Sequence, residues 1–253
     1  VTHVICVGDL MADVLAVLPG PLARGTDTPA AVRMLGGGAA ANAAAWVVAA
    51  GGTATFVGRA GDDEIGRQAV AELKQAGVDP RVEIDAHRPT GTCVVLVDPS
   101  GERTMVPSAG ANAAALDPAL LPDEADWLLL SGYSLLRDES RASALAVLTI
   151  ARERGWSVAV DAASAAPLER VGAESFLDWL GRDVLLLANG AEARVLSGEV
   201  DPVFAARTLA RRLGAAAVKI GSGGAVWCDG RMVCSMPAVR AEVVDTTGAG
   251  DAF

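Results

Sequence analysis

Apolar runs and helical periodicity alternate through the second half of the chain. Residues 127–130, 158–161, 184–187 and 216–220 are short runs dominated by Val, Leu and Ala, with the nearly unbroken apolar character of strands buried on both faces. Between them, residues 139–154, 173–181 and 202–213 read as helices. Gly155 ends the first, and Asp201-Pro202 opens the last in the favoured order of capping residue and proline. Strands alternating with helices predict a parallel sheet covered on both faces. Ligands of such sheets bind at the carboxyl ends of strands, where Asp161, Asn189 and Lys219 fall.

The first half is less regular. Val4-Ile5-Cys6-Val7-Gly8 is a buried strand ending in glycine. Residues 14–35 are broken by Pro19, Pro21, Gly25 and Pro29 and read as small strands and turns. Residues 80–107 have the same character, with runs at 92–97 and 103–106 flanking the turn Asp98-Pro99-Ser100-Gly101. These two groups predict one small sheet outside the main layer. Between them, Gly36, Gly37 and Gly38 open an alanine-rich helix that reaches Gly52. Asp62 or Asp63 caps a second helix, with Ile65, Ala69, Val70 and Leu73 at helical spacing and Gly77 at its end. Residues 225–228 and 232–234 form a hairpin through Asp229-Gly230.

At 253 residues the chain suits one large α/β domain, or a domain with an appendage. A net charge of −10, with 21 Lys and Arg against 31 Asp and Glu, argues against a nucleic-acid surface, which needs clustered cations. No apolar run approaches the roughly 20 residues of a membrane span, and Asp9 and Asp13 interrupt the first apolar run as no signal peptide would be. The expected location is the cytoplasm. Cys6, Cys93, Cys228 and Cys234 form no CxxC pair, so no zinc site is expected. Cys6 and Cys93 sit in strands as small hydrophobes. Cys228 and Cys234 could face each other across the hairpin, though no disulfide is expected.

The chemistry gathers in Val243-Val244-Asp245-Thr246-Thr247-Gly248-Ala249-Gly250-Asp251-Ala252-Phe253. A Gly-Ala-Gly turn presents several N–H groups to one point, a nest that suits phosphate. A carboxylate beside that nest can take a proton from an attacking hydroxyl. Asn189 and Glu192, three apart on a helix, share one face, where an amide and a carboxylate can hold water around Mg²⁺; by themselves they also suit an ordinary N-cap and a surface Glu.

The segment Asp245-Thr246-Thr247-Gly248-Ala249-Gly250-Asp251-Ala252-Phe253 resembles the C-terminal signature of the ribokinase-like (PfkB) carbohydrate kinases. Gly36-Gly37-Gly38-Ala39-Ala40-Ala41-Asn42, followed by Val57-Gly58-Arg59-Ala60-Gly61-Asp62-Asp63-Glu64-Ile65-Gly66, resembles the family's N-terminal signature, in the family's order. The resemblance implies a ribokinase-like three-layer α/β fold over residues 1–253, with a mostly parallel central sheet. It also implies a small β-sheet lid from segments roughly 14–35 and 80–107. Relatives continue through the helix that Asp251 begins, so the C-terminal part of the family fold is expected to be absent.

The implied activity is transfer of a phosphoryl group from ATP, with Mg²⁺, to a hydroxyl of a small sugar or sugar acid. Asp251 would be the base, beside an anion hole of Gly248, Ala249 and Gly250. Asp13, Gly37, Gly38, Asn42 and Arg103 would bind the acceptor. Asn189, Lys219, Gly221, Gly223 and Thr246 would hold the nucleotide, Glu192 would hold Mg²⁺ through water, and Asp245 with Thr247 would hold K⁺. Taken by themselves, Asp13 also suits a solvated loop, and Arg103 suits either an acidic group of the acceptor or a carboxylate of the lid. Asn112 is a weaker candidate. Ribokinase has a lysine within the glycine motif where this chain has alanines, which argues against ribose. A nucleoside kinase for adenosine or pseudouridine would want an aromatic lid residue, and the two lid stretches have none. A non-catalytic sugar- or nucleotide-binding protein on the same fold is the third reading. Lid strands of this kind permit a homodimer.

Overall fold

The computed structural model describes residues 1–239, 248 and 250–253. Among the described residues thirteen strands form two sheets. In chain order, β1 (His3–Val7) enters the large sheet, and β2 (Met11–Val17) and β3 (Ala31–Gly37) enter the small one. Helix α1 (Ala39–Ala49) follows, then β4 (Thr53–Gly61), α2 (Glu64–Gln75) and β5 (Asp79–Asp85), which return to the large sheet. Strands β6 (Gly91–Val97) and β7 (Arg103–Ser108) complete the small sheet in the order β3-β2-β6-β7. After β8 (Trp127–Ser131) come α3 (Tyr133–Leu136), α4 (Asp138–Glu153), β9 (Ser157–Asp161), α5 (Ala165–Val171) and α6 (Ala173–Leu180). Then follow β10 (Val184–Asn189), α7 (Gly190–Ser197), α8 (Pro202–Leu213), β11 (Gly214–Lys219) and the hairpin β12 (Ala225–Cys228) and β13 (Val233–Met236).

The large sheet has the order β13-β12-β11-β10-β9-β8-β1-β4-β5 and is parallel except at β12 and β13. From β1 the chain winds outward in both directions, so the order reverses between β1 and β8. Ligand sites of open α/β sheets form at that switch point, outside the carboxyl ends of the strands. One face of the sheet buries Ile5, Leu128, Leu130, Val158, Val160 and Leu186 against α4 to α8. On the other, Cys6 and Phe56 pack against the alanines of α1 and against Ala69 and Leu73 of α2. The alternation of side chains along each strand assigns neighbouring residues to opposite layers. Beyond α1 this second face has an apolar groove of about 410 Å³, bounded by Trp46, Leu129, Leu185, Leu187 and Phe253.

The structure corrects two expectations. Residues 80–85 belong to β5, an edge strand of the large sheet paired in parallel with β4, and not to the small sheet. Cys228 lies opposite Val233 and Cys234 opposite Trp227, so the two cysteines point to opposite faces, and all four cysteines are free. The second helix is capped by Asp63, whose Oδ1 accepts from the Gly66 N–H at 2.8 Å. Among the described residues no helix is long and apolar enough to cross a membrane.

Candidate active site

The site is built where β1 leaves the large sheet. After Gly8 the chain crosses into β2, whose third residue, Asp13, is buried. Pairing sets Asp13 opposite Leu35 of β3 and Cys93 of β6. The end of β3 then folds against it: a side chain at Gly37 would lie 2.6 Å from the Asp13 carboxylate, so only glycine fits. At Gly38, with φ 99°, a side chain would lie 2.2 Å from the Asp9 carbonyl oxygen. The backbone of Gly37 therefore sits on the Asp13 carboxylate and that of Gly38 on the β1–β2 connection, and α1 starts from there.

Asn42, in the first turn of α1, reaches the other end of the sequence. Its Nδ2 donates to Asp251 Oδ2 at 2.8 Å. The N–H groups of Asp251 and Ala252 both donate to the Gly248 carbonyl at 3.0 Å, closing a tight turn around the carboxylate. Lys219, at the carboxyl end of β11, ties this turn to the sheet by donating from Nζ to the Gly250 carbonyl at 3.0 Å. The same ammonium faces Asp161 Oδ1 at 3.4 Å, at the end of β9. Asp161 Oδ2 in turn accepts from the Ala163 N–H at 3.0 Å. Ala163 has φ 73°, a left-handed conformation that residues with side chains seldom adopt. Ser131, at the end of β8, buries a hydroxyl that has no partner among the described residues and lines the groove with Asp161 and Asp251.

The electrostatics follow from these contacts. Burial pushes the Asp13 carboxyl up to about 6, with the charge of Asp251 adding to it. Burial also raises Asp251, and the Asp161 charge raises it further, while the Asn42 hydrogen bond and Lys219 oppose the rise. Glu192 is raised by burial and by Asp161, against its bonds from Asn189 and the charge of Lys219. Asn189 and Glu192 form a reciprocal capping box at the start of α7: the Glu192 N–H donates to Asn189 Oδ1 at 2.9 Å. The Asn189 N–H and Nδ2 donate to the two Glu192 oxygens at 2.8 and 2.7 Å.

Thus the fold unites Asp13, Gly37, Gly38, Asn42, Gly248, Gly250, Asp251 and Lys219, with Asn189 and Glu192 adjoining across Asp161. Gly221 and Gly223 lie in the tight turn that follows β11. Arg103 shares the sheet face of Asp13 but stands four residues along β7 from Pro107, the residue opposite Cys93. That is about 13 Å at the rise of a strand. Asp245, Thr246, Thr247 and Ala249 lie outside the described residues. The pfkB family carbohydrate kinase profile matches residues 1–253.

The chain belongs to the pfkB family of carbohydrate kinases.

The fructokinase of Klebsiella pneumoniae is 34% identical to it over 228 residues, 86% of this chain and 74% of that protein. The ATP-dependent ribose-1-phosphate kinase of Halopiger xanaduensis is 32% identical over 240 residues, 92% of this chain and 75% of that protein. Among solved structures, the adenosine kinase from Sinorhizobium meliloti superposes with a TM-score of 0.87 at 25% identity, covering 99% of this chain and 84% of that one. The Halothermothrix orenii fructokinase superposes at 0.81 with 21% identity over 98% of this chain and 88% of its own, a likeness of fold. The structure also draws in three residues to which the sequence assigned no role. Asp161 was visible only as an acidic strand end, whereas it charges the space between Glu192 and Asp251. Asp9 and Arg137 carried no motif and are joined only by the fold.

Proposed function

We propose that this family member moves the γ-phosphoryl group of ATP onto a hydroxyl of a small sugar or sugar acid, with Asp251 as the base. The observation that carries this reading is the 2.8 Å bond from Asn42 to Asp251, beside the buried carboxylate of Asp13. A polar acceptor lying between Asp13, Asn42 and the backbone of Gly37 and Gly38 would present its hydroxyl to Asp251. The hydroxyl proton passes to Asp251 as its oxygen bonds the γ-phosphorus, and the bond to the leaving ADP oxygen breaks. Positioning and charge stabilisation dominate such a transfer. The N–H groups of Gly248, Ala249 and Gly250 are assigned to the moving phosphoryl group. Asn189, Lys219, Gly221, Gly223 and Thr246 are assigned to the nucleotide, with Lys219 also holding the catalytic turn.

The acidic oxygens of this site suit a hard cation reached through water. Among the described residues no three His, Cys, Asp or Glu side chains form a direct metal cage, yet Asp161 raises both Glu192 and Asp251, an excess of negative charge that a cation would relieve. Glu192 would hold Mg²⁺ through water, and Mg²⁺, when bound, neutralises charge on the phosphate oxygens. K⁺ is proposed at Asp245 and Thr247. Arg103 is proposed for an acidic group at the far end of an acceptor, and the small sheet as a lid that excludes water. Exposed Val32, Met34 and Val106, which share one face of that sheet, support a homodimer through the lid. A cytoplasmic location accompanies this reading.

The likeness to an adenosine kinase structure favours a nucleoside acceptor as a second reading. The strands of the small sheet carry no aromatic side chain to stack on a base, which supports the sugar. ADP release with Mg²⁺ and K⁺ across fructose, ribose, sugar acids, ribose 1-phosphate, adenosine and pseudouridine separates them. Turnover with a sugar or sugar acid is expected. Turnover confined to nucleosides would favour the second reading, and ligand binding without turnover would overturn both in favour of a binding protein.

A further inference from the structure

A partly buried ion pair spans the switch point of the large sheet. Arg137 stands in extended conformation at the joint between α3 and α4, just beyond the carboxyl end of β8. Its two terminal nitrogens donate to the two oxygens of Asp9, each at 2.7 Å, a bidentate fork. Asp9 is 3% exposed and directly follows β1 and Gly8. Arg137 Nη1 also donates to the Asn112 carbonyl at 3.3 Å, and the Tyr133 ring lies 5.3 Å from its guanidinium carbon. The Asn112 side chain grips the next residue: the Leu10 N–H donates to its Oδ1 at 3.1 Å, and its Nδ2 donates to the Leu10 carbonyl at 2.9 Å.

Asp13, Gly38 and Asn42, assigned to the acceptor, all depend on this short connection. Asp13 is on the strand that leaves it, and Gly38, from which α1 and Asn42 start, packs against the Asp9 carbonyl oxygen. Desolvation offsets much of the attraction in such a pair, so its weight here lies in its bidentate geometry rather than in net stability. We infer that Arg137 is a positioning residue: through Asp9 it fixes the β1–β2 connection, and with it the placement of Asp13 and Asn42 toward the acceptor. The inference rests on the sugar-kinase reading above. It assigns Arg137 no contact with the nucleotide, whose proposed residues Asn189, Lys219, Gly221 and Gly223 lie at or just after the ends of β10 and β11.

Arg137→Lys keeps the charge but loses the fork. The double variant Asp9→Asn with Arg137→Gln removes both charges together, so no lone buried charge is left to unfold the chain. Thermal unfolding establishes that each variant is folded, and steady-state kinetics then separates the two substrates. In both variants the acceptor KM is expected to rise about 10- to 100-fold, less in Arg137→Lys, while the ATP KM holds, since small misplacements have effects of that size. A folded double variant with an unchanged acceptor KM would overturn the inference. So would equal rises in both KM values, which would mark general loosening. A wild-type chain that phosphorylates no acceptor would instead overturn the reading beneath it.

Discussion

Replacing Asn42 by alanine removes the hydrogen bond that favours the ionised form of Asp251. The bond is 2.8 Å long, partly buried and made to a charged acceptor. Such bonds contribute about 1.5–3 kcal/mol. With about 1.4 kcal/mol for each pH unit of titration, the acid limb of the kcat profile should move up by about 1–2 pH units. Asp251 already sits above the ordinary carboxylate range because of burial and Asp161, so the variant loses activity first at the acidic end and recovers it in alkali. Asn42→Asp, which adds a like charge, should move the limb further in the same direction. The assay is kcat at saturating ATP and acceptor across the pH range, so that weakened acceptor binding does not enter. A limb that stays in place in both variants, or moves to lower pH, would refute the pairing of Asn42 with a catalytic carboxylate.

Further outcomes follow from the same geometry. Asp13 titrates at about 6 against an ordinary 3.8. The folded chain therefore holds its proton more tightly, and this contribution to stability is complete below pH 3.8 and lost as the pH rises through about 6. Acceptor binding should run the opposite way, weakening below that pH as the carboxylate stops accepting from hydroxyls, and Asp13→Asn should abolish both trends in unfolding and KM measurements. Lys219→Met frees the Gly250 carbonyl and takes the cation from Asp161, so kcat should fall about tenfold or more, with Lys219→Arg restoring part of it. Glu192→Ala dismantles the capping box and strands the Asn189 N–H, and urea unfolding should show a loss of about 1–3 kcal/mol.

The parallel strands at the centre of the sheet were legible because burial on both faces leaves them almost purely apolar. β5 was not, because it is an edge strand whose sequence, Asp-Pro-Arg-Val-Glu-Ile-Asp, mixes polar and apolar residues as the small sheet does. Helix α5, with seven residues and Pro167 inside its first turn, falls below the length at which periodicity can be read. At the site, motif spacing pointed to Asp251, Asn42 and Asn189 with Glu192, because each belongs to a local signature. Their pairing is another matter: Asn42 and Asp251 are 209 residues apart, and Arg137 and Asp9 are 128 apart. No local pattern encodes such contacts, which come from the switch in strand order that carries β1, β8 and β9 to one place. The register of β7, likewise invisible in sequence, sets Arg103 at a distance from Asp13.

The central claim is that Asp251 takes the proton of the attacking hydroxyl. Its most direct test is kcat of Asp251→Asn with the preferred acceptor, beside calorimetric binding of acceptor and nucleotide. The account predicts that both ligands still bind while kcat falls about 10²- to 10⁴-fold, the usual contribution of a general base. A folded variant that forms phosphorylated product at the wild-type rate would contradict it.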